Sequence, residues 1–309
     1  MEKPSASAPH LKPEKVAGYI TWATSLLFAG HAWVWIFWDG PLREFLWDQA
    51  LFEPILTGWF DMAWADFVTD LRITAQIQNV SVAGGLVLLL CAAAVHLGDR
   101  FRKPVFALLV LGWLLLSLQG VVWIRNGYPA WGVALEYMAQ WSCPLLWLLL
   151  RAGRKFRGLS FQWLRLAVAA TFIGHGLYAS GILPLPGHFL DMSMNSLRIS
   201  QAQAVLFLRV AGGLDFLAAA GLFMPRPLNR WAAGYMVFWG LSTSLARVAG
   251  HWAISDAQML WGYWLFQSVL RAPHFLLPMA LWSLFRAGFT QPGFQPSAPD
   301  PGQGVSAVE

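Results

Sequence analysis

Apolar residues run through this chain in long unbroken blocks, and polar residues gather between them. Eight blocks stand out: Val16–Trp38, Asn79–Leu97, Val105–Ile124, Ala130–Leu150, Leu164–Leu183, Gln203–Met224, Trp231–Gly250 and Met259–Phe285. A helix of about 20 apolar residues crosses the hydrocarbon core of a bilayer. The strands of a membrane barrel would show short segments of alternating polarity instead. The pattern therefore predicts an all-α fold, a polytopic integral membrane bundle of eight transmembrane helices. Pro and Gly punctuate the gaps.

Two of the intervening stretches have a character of their own. Residues 39–75 carry Asp39, Glu44, Asp48, Glu53, Asp61, Asp66 and Asp70 among Trp47, Trp59, Phe60 and Trp64. Acidic and aromatic residues mixed in this way predict short helices lying at the membrane surface, with rings at headgroup level. Such a loop would cap the bundle and could serve as a contact surface for partner proteins. Residues 291–309 are rich in Pro, Gly and Ser, which predicts a disordered tail.

The distribution of Lys and Arg orients the spans, because cytoplasmic loops carry the excess of these residues. Residues 1–15 hold Lys3, Lys12 and Lys15. The turn after span two holds Arg100, Arg102 and Lys103, and the turn after span four holds Arg151, Arg154, Lys155, Arg157 and Arg165. Arg226 and Arg230 follow span six, and Arg286 follows span eight. The opposite loops have only Arg43, Arg72, Arg125 and Arg198. Both termini are thus expected in the cytoplasm. The polar start followed by a span-length apolar run predicts no cleavable signal peptide. The expected setting is a bacterial cytoplasmic (inner) membrane.

The chain reads as two copies of one unit, residues 16–150 and 151–290. "FAGHAW" at Phe28 recurs as "FIGHGL" at Phe172, "RIT" at Arg72 as "RIS" at Arg198, and "VAGGL" at Val82 as "VAGGL" at Val210. Four spans per copy insert both copies the same way up, as parallel repeats. The Gly-Gly pair allows close helix approach. The stretches "SVAGGLVLLLCAAAVHLGDRFRKPVFALLVLGW" and "RVAGGLDFLAAAGLFMPRPLNRWAAGYMVFWG" resemble the DoxX/DoxD-type membrane family. That resemblance implies a four-helix membrane unit and, as in some members, thiosulfate or quinone chemistry. This chain departs from the family in having two units, and in placing His31 and His175 where a Lys is more typical.

Composition agrees with the pattern. The chain is 57% apolar and only 12% charged, against about a quarter charged in soluble domains. The net charge of +5 does not point to nucleic acid, because the basic residues sit between apolar runs. Cys91 and Cys143 lie within apolar runs and read as packing residues. The 19 Trp fit interfacial belts and bulky packing. Neither HExxH, GxSxG nor a Walker loop occurs, which disfavours a hydrolase or ATPase.

Candidate chemistry rests on polar residues at membrane depth, where each ionisable group needs a partner or a purpose. Arg209 stands where the first repeat has Ser81, and Asp215 where it has Val87. Helical spacing aligns Thr171, His175 and Tyr178 in span five, Ser244, Arg247 and His251 in span seven, and Gln267, Arg271 and His274 in span eight. Glu136, Gln140 and Cys143 form a weaker stripe in span four. The expectation is a polar cavity open to the extracytoplasmic side, walled by spans five to eight, with span one as a further contributor. His175, with His31 as its counterpart and Tyr178 in support, is the candidate catalytic set. Arg209, Arg247 and Arg271, with Asp215, His274 and Gln267, are the candidate binding set for an anion.

Several readings of this set remain open. The histidines either pack and bond between helices, serve a quinone as proton carriers, or ligate one haem b iron from opposite faces. Membrane lipid and a small anionic or quinone-like ligand are the expected partners. The leading reading is a membrane redox component of the thiosulfate/quinone type. The alternatives are a non-enzymatic transporter or lipid- and anion-binding protein, and a membrane scaffold.

Overall fold

The computed structural model describes residues 13–97, 102–151 and 158–289, and all its regular secondary structure is helical. Lys3, Lys12, Arg100, Arg154, Lys155, Arg157 and the tail 291–309 lie outside the described residues. In chain order the helices are α1 (Pro13–Phe37), α2 (Pro41–Leu46), α3 (Gln49–Trp59), α4 (Trp64–Thr69), α5 (Leu71–Ala94), α6 (Arg102–Asn126) and α7 (Ala130–Arg151). They continue as α8 (Leu159–Ala179), α9 (Gly187–Leu197), α10 (Gln201–Gly221) and α11 (Leu228–His251). The last are α12 (Ala257–Met259), a π-helical turn (Leu260–Trp264), α13 (Leu265–Val269) and α14 (Pro273–Arg286).

Among the described residues, five helical segments are long and apolar enough to cross a membrane: Glu14–Phe37, Leu71–Leu97, Arg102–Asn126, Ala130–Arg151 and Gln201–Gly221. The expected fifth and seventh spans form the long helices α8 and α11. Both are diluted by polar residues, Gln162, Arg165 and His175 in one and Asn229, Arg230, Arg247 and His251 in the other. The expected eighth span is not one helix. Pro273 has no N–H to continue the ladder, and Arg271 N, Ala272 N and His274 N donate to carbonyls three residues back. The result is a break at Leu270–Ala272, in the middle of the segment.

Apolar side chains face outward in stripes, as lipid contact requires. Leu206, Val210, Leu214 and Leu217 form one along α10, and Trp231, Phe238, Leu241 and Leu245 form another along α11. Phe28, Leu88, Leu116, Trp147, Phe161 and Phe285 are buried in one continuous core. Cys91 and Cys143 are buried free thiols. Cys91 Sγ donates to Leu108 O at 3.3 Å, and Cys143 Sγ lies 3.3 Å from Thr24 Oγ1.

Residues 39–75 form the short helices expected of them. Leu56, Phe67 and Ile77 make a small core there, while Trp59 is 83% exposed. Asp48 caps α3 by accepting from Leu51 N, and Asp70 starts α5 by accepting from Arg72 N and Ile73 N. That cap explains why α5 begins eight residues before the apolar run at Asn79. Two links tie the loop to the end of α6: Arg125 pairs with Asp48, and Asn126 donates to Glu44 at 2.6 Å. The connection between α8 and α10 also holds a helix, α9, which the apolar pattern does not announce.

Close helix contacts repeat between the halves. A Cβ on Gly30 of α1 would lie 2.6 Å from Leu270 N, and one on Gly174 of α8 would lie 2.7 Å from Glu136 N. Each Gly-His helix thus presses its glycine onto the last helix of the other half. A Cβ on Gly240 of α11 would collide with the backbone carbonyl of His274. The break in span eight is therefore held between two glycines, Gly30 on one side and Gly240 on the other.

Candidate functional site

The break in span eight turns Arg271 and His274 toward α8, and α8 presents His175 on the same side. The His175 and His274 rings stand 5.5 Å apart. Nδ1 of His175 lies 2.6 Å from Oε1 of Glu136, on α7. Thr171, one turn before His175, accepts from Ala139 N at 2.8 Å, which clamps α7 against α8. Arg247 enters from α11, buried, with one terminal N–H donating to Thr243 O at 3.0 Å. The guanidiniums of Arg247 and Arg271 act electrostatically on each other and on Glu136.

A cavity of about 260 Å³ adjoins this cluster. Its walls come from α8, α9, α10, α11 and the break in span eight, and α1 contributes none. Phe172, Phe189, Phe207, Leu208 and Trp239 make it largely apolar, and His175, Arg247, Arg271 and His274 supply its charged end. Leu197 and Leu245, both lining residues, are also exposed on the outer surface, so the cavity opens sideways beside α11.

Two atoms at the charged end lack a protein partner. Nε of Arg271 and Nε2 of His274 are buried and unbonded. Nδ1 of His274 sits 3.2 Å from Arg271 O and donates to it. That leaves Nε2 as an acceptor in the neutral ring, or as a second donor when protonated. Buried polar groups without partners are costly, and these two mark where a ligand's polar head would be satisfied.

The other expected site residues divide between the cavity and separate structural duties. Asp215 lines the cavity, but it accepts from Tyr235 at 3.2 Å and from Trp239 and pairs with no arginine among the described residues. Arg209 points outward, exposed on α10, and lies outside the cavity lining. The six-residue step between it and Asp215 sets the two about 120° apart around the helix. Tyr178 is buried, with its hydroxyl 3.3 Å from Tyr128 O and Pro129 O, where it closes the turn before α7. Gln267 hydrogen-bonds Tyr263 and does not reach the cavity.

His31 is buried, and its Nε2–H donates to Gln140 Oε1 at 3.3 Å. It does not line the cavity. The two histidines therefore share α7 as a neighbour but no open space, and they do not fit the two faces of one haem.

Glu136 belongs to the weaker of the expected stripes, yet it pairs with His175. It lies four residues before Gln140, so α7 supplies a partner to each histidine. His188, at the start of α9, also faces this carboxylate. Desolvation, then the charges of Arg247 and Arg271, push its pKa down to about 4, so it is neutral near pH 7.

Comparisons with family models, curated proteins and solved structures found no match to this chain.

Proposed function

We propose that this is an integral membrane protein that takes an amphipathic ligand out of the bilayer. The polar head would sit at His175, Arg247, Arg271 and His274, and the tail would run along the apolar wall toward Leu245. The observation that carries this reading is the pair of buried, unpartnered atoms, Arg271 Nε and His274 Nε2, at the closed end of an otherwise apolar cavity. Arginine suits an acidic head, because its fork matches carboxylate and phosphate geometry. Discontinuous helices at membrane depth commonly frame such ligand sites.

The proposal includes eight spans, with α8, α11 and the broken segment Ala257–Arg286 crossing beside the five apolar helices. The outward apolar stripe of α11 supports this. The reciprocal contacts of Gly30 and Gly174 support two parallel repeats, the architecture that the DoxX/DoxD-like resemblance implies. Arg102, Lys103, Arg151, Arg226, Arg230 and Arg286 lie at one set of helix ends, which supports cytoplasmic termini in a bacterial inner membrane.

A second reading is a quinone-linked redox component. The His175–Glu136 pair favours it, since a titratable pair beside the cavity could exchange protons with a quinone head. The test uses the full-length protein in lipid nanodiscs. Saturable binding of oleate, weakened at least about tenfold in Arg271→Gln, supports the first reading. Equal binding by the variant, or none by the wild type, overturns it. Reduction of a short-chain quinone with thiosulfate as reductant would establish the redox reading.

A further inference from the structure

We infer that Glu136 sets the charge of the head this cavity accepts, limiting it to a single negative charge. The inference rests on the cavity holding an amphiphile, and it adds which acid that amphiphile carries.

The site is assembled from both halves of the chain. The second half supplies two guanidiniums, Arg247 and Arg271, and the first half supplies one carboxylate, Glu136. His175 and Tyr178 face this carboxylate from α8, His188 from α9, Arg271 from the break and Arg247 from α11. His31, from α1, meets Gln140 instead. Two guanidiniums therefore stand against one carboxylate. The surplus is one unit, which a monoanion neutralises.

A dianion would overfill that surplus in a poorly solvated pocket, where unbalanced charge is expensive. Asp215 does not alter the balance at this end, because it is turned to Tyr235 and Trp239 and makes no ion pair with either arginine. Glu136 is half-buried with no arginine within ion-pair distance among the described residues, and its short contact is to His175. It acts on the guanidiniums across the site and leaves the Arg271 Nε–H free for a ligand. Fixed charge placed against the wrong ligand is a common source of specificity.

The readout is the ratio of two affinities for one tail: oleate, a monoanion, and oleyl phosphate, largely dianionic near pH 8. Both are measured by titration of the full chain in nanodiscs. The wild type should prefer oleate. Glu136→Gln should shift the ratio toward oleyl phosphate by about tenfold, and Glu136→Asp should keep the wild-type ratio. Arg247→Gln, which removes a positive charge, should move the ratio the other way, so the inference stays testable if Glu136→Gln does not fold.

An unchanged ratio in Glu136→Gln overturns the inference while leaving the amphiphile site standing. The same shift in Asp215→Asn reassigns the role and also overturns it. A wild type that binds neither ligand fails at the earlier step, the cavity itself.

Discussion

His31 and His175 occupy matching places in two similar hexapeptides, yet their surroundings differ in kind. His31 is sealed against Gln140, and His175 is paired with Glu136 at the edge of a cavity. The first is an interhelical hydrogen bond and the second belongs to a site. Gln140→Leu should therefore strand the His31 Nε2–H in the core and cost about 1–3 kcal/mol of stability, read as a lowered melting temperature in detergent. Oleate affinity should not change, because neither residue lines the cavity. A loss of binding at unchanged stability would place His31 in the site. This difference was only half legible in the chain. Helical spacing shows Glu136 and Gln140 one turn apart, but it does not say which histidine each will meet. That depends on the register between α7 and its two neighbours, which on the α8 side is set by Gly174 pressed against the α7 backbone.

At the scale of elements, apolar runs gave away the long helices, since a run of that length has few other homes. The run at Met259 also announced one continuous helix, and there the structure breaks it at Leu270–Ala272. Period and hydropathy cannot show where Pro273 and the clamps of Gly30 and Gly240 interrupt a helix, and the interruption is what aims Arg271 and His274. The helix α9 was hidden for the opposite reason, being short and mixed in polarity. The outer loop offers a test of its own. Arg125 holds the Asp48 carboxyl below the ordinary carboxylate range, through their hydrogen bond first. A carboxyl whose folded pKa is lowered contributes stability fully above its unfolded value, about 4, and loses it as pH falls through the lower folded value. Proteolytic cutting within residues 39–75 should therefore be slow near pH 7 and rise only below about pH 4. Asp48→Asn should be cut faster already at pH 7. Equal cutting of both proteins at pH 7 would show that the Asn126–Glu44 link and the small core hold the loop alone.

At the scale of the whole molecule, the position of the cavity's mouth decides how a ligand arrives. A soluble solute would need a water-filled route from the end where α8 gives way to α10, but α9 lies in that connection and contributes Phe189, Met192 and Leu197 to the wall. The opening instead passes beside Leu245, in the same outward stripe of α11 as Phe238 and Leu241. On the proposed reading α11 crosses the bilayer, so its exposed apolar residues meet lipid chains and a ligand entering here need never leave the membrane. A cysteine at this point reports which medium it faces, and Cys91 and Cys143, both buried, give little background. Leu245→Cys should react with an uncharged, bilayer-soluble maleimide and resist a charged, impermeant one added to either side. Oleate should slow the reaction by occupying the wall behind it. Rapid labelling by the charged reagent would put the mouth in water, and entry from the bilayer would then be excluded even if Arg271 still holds the head.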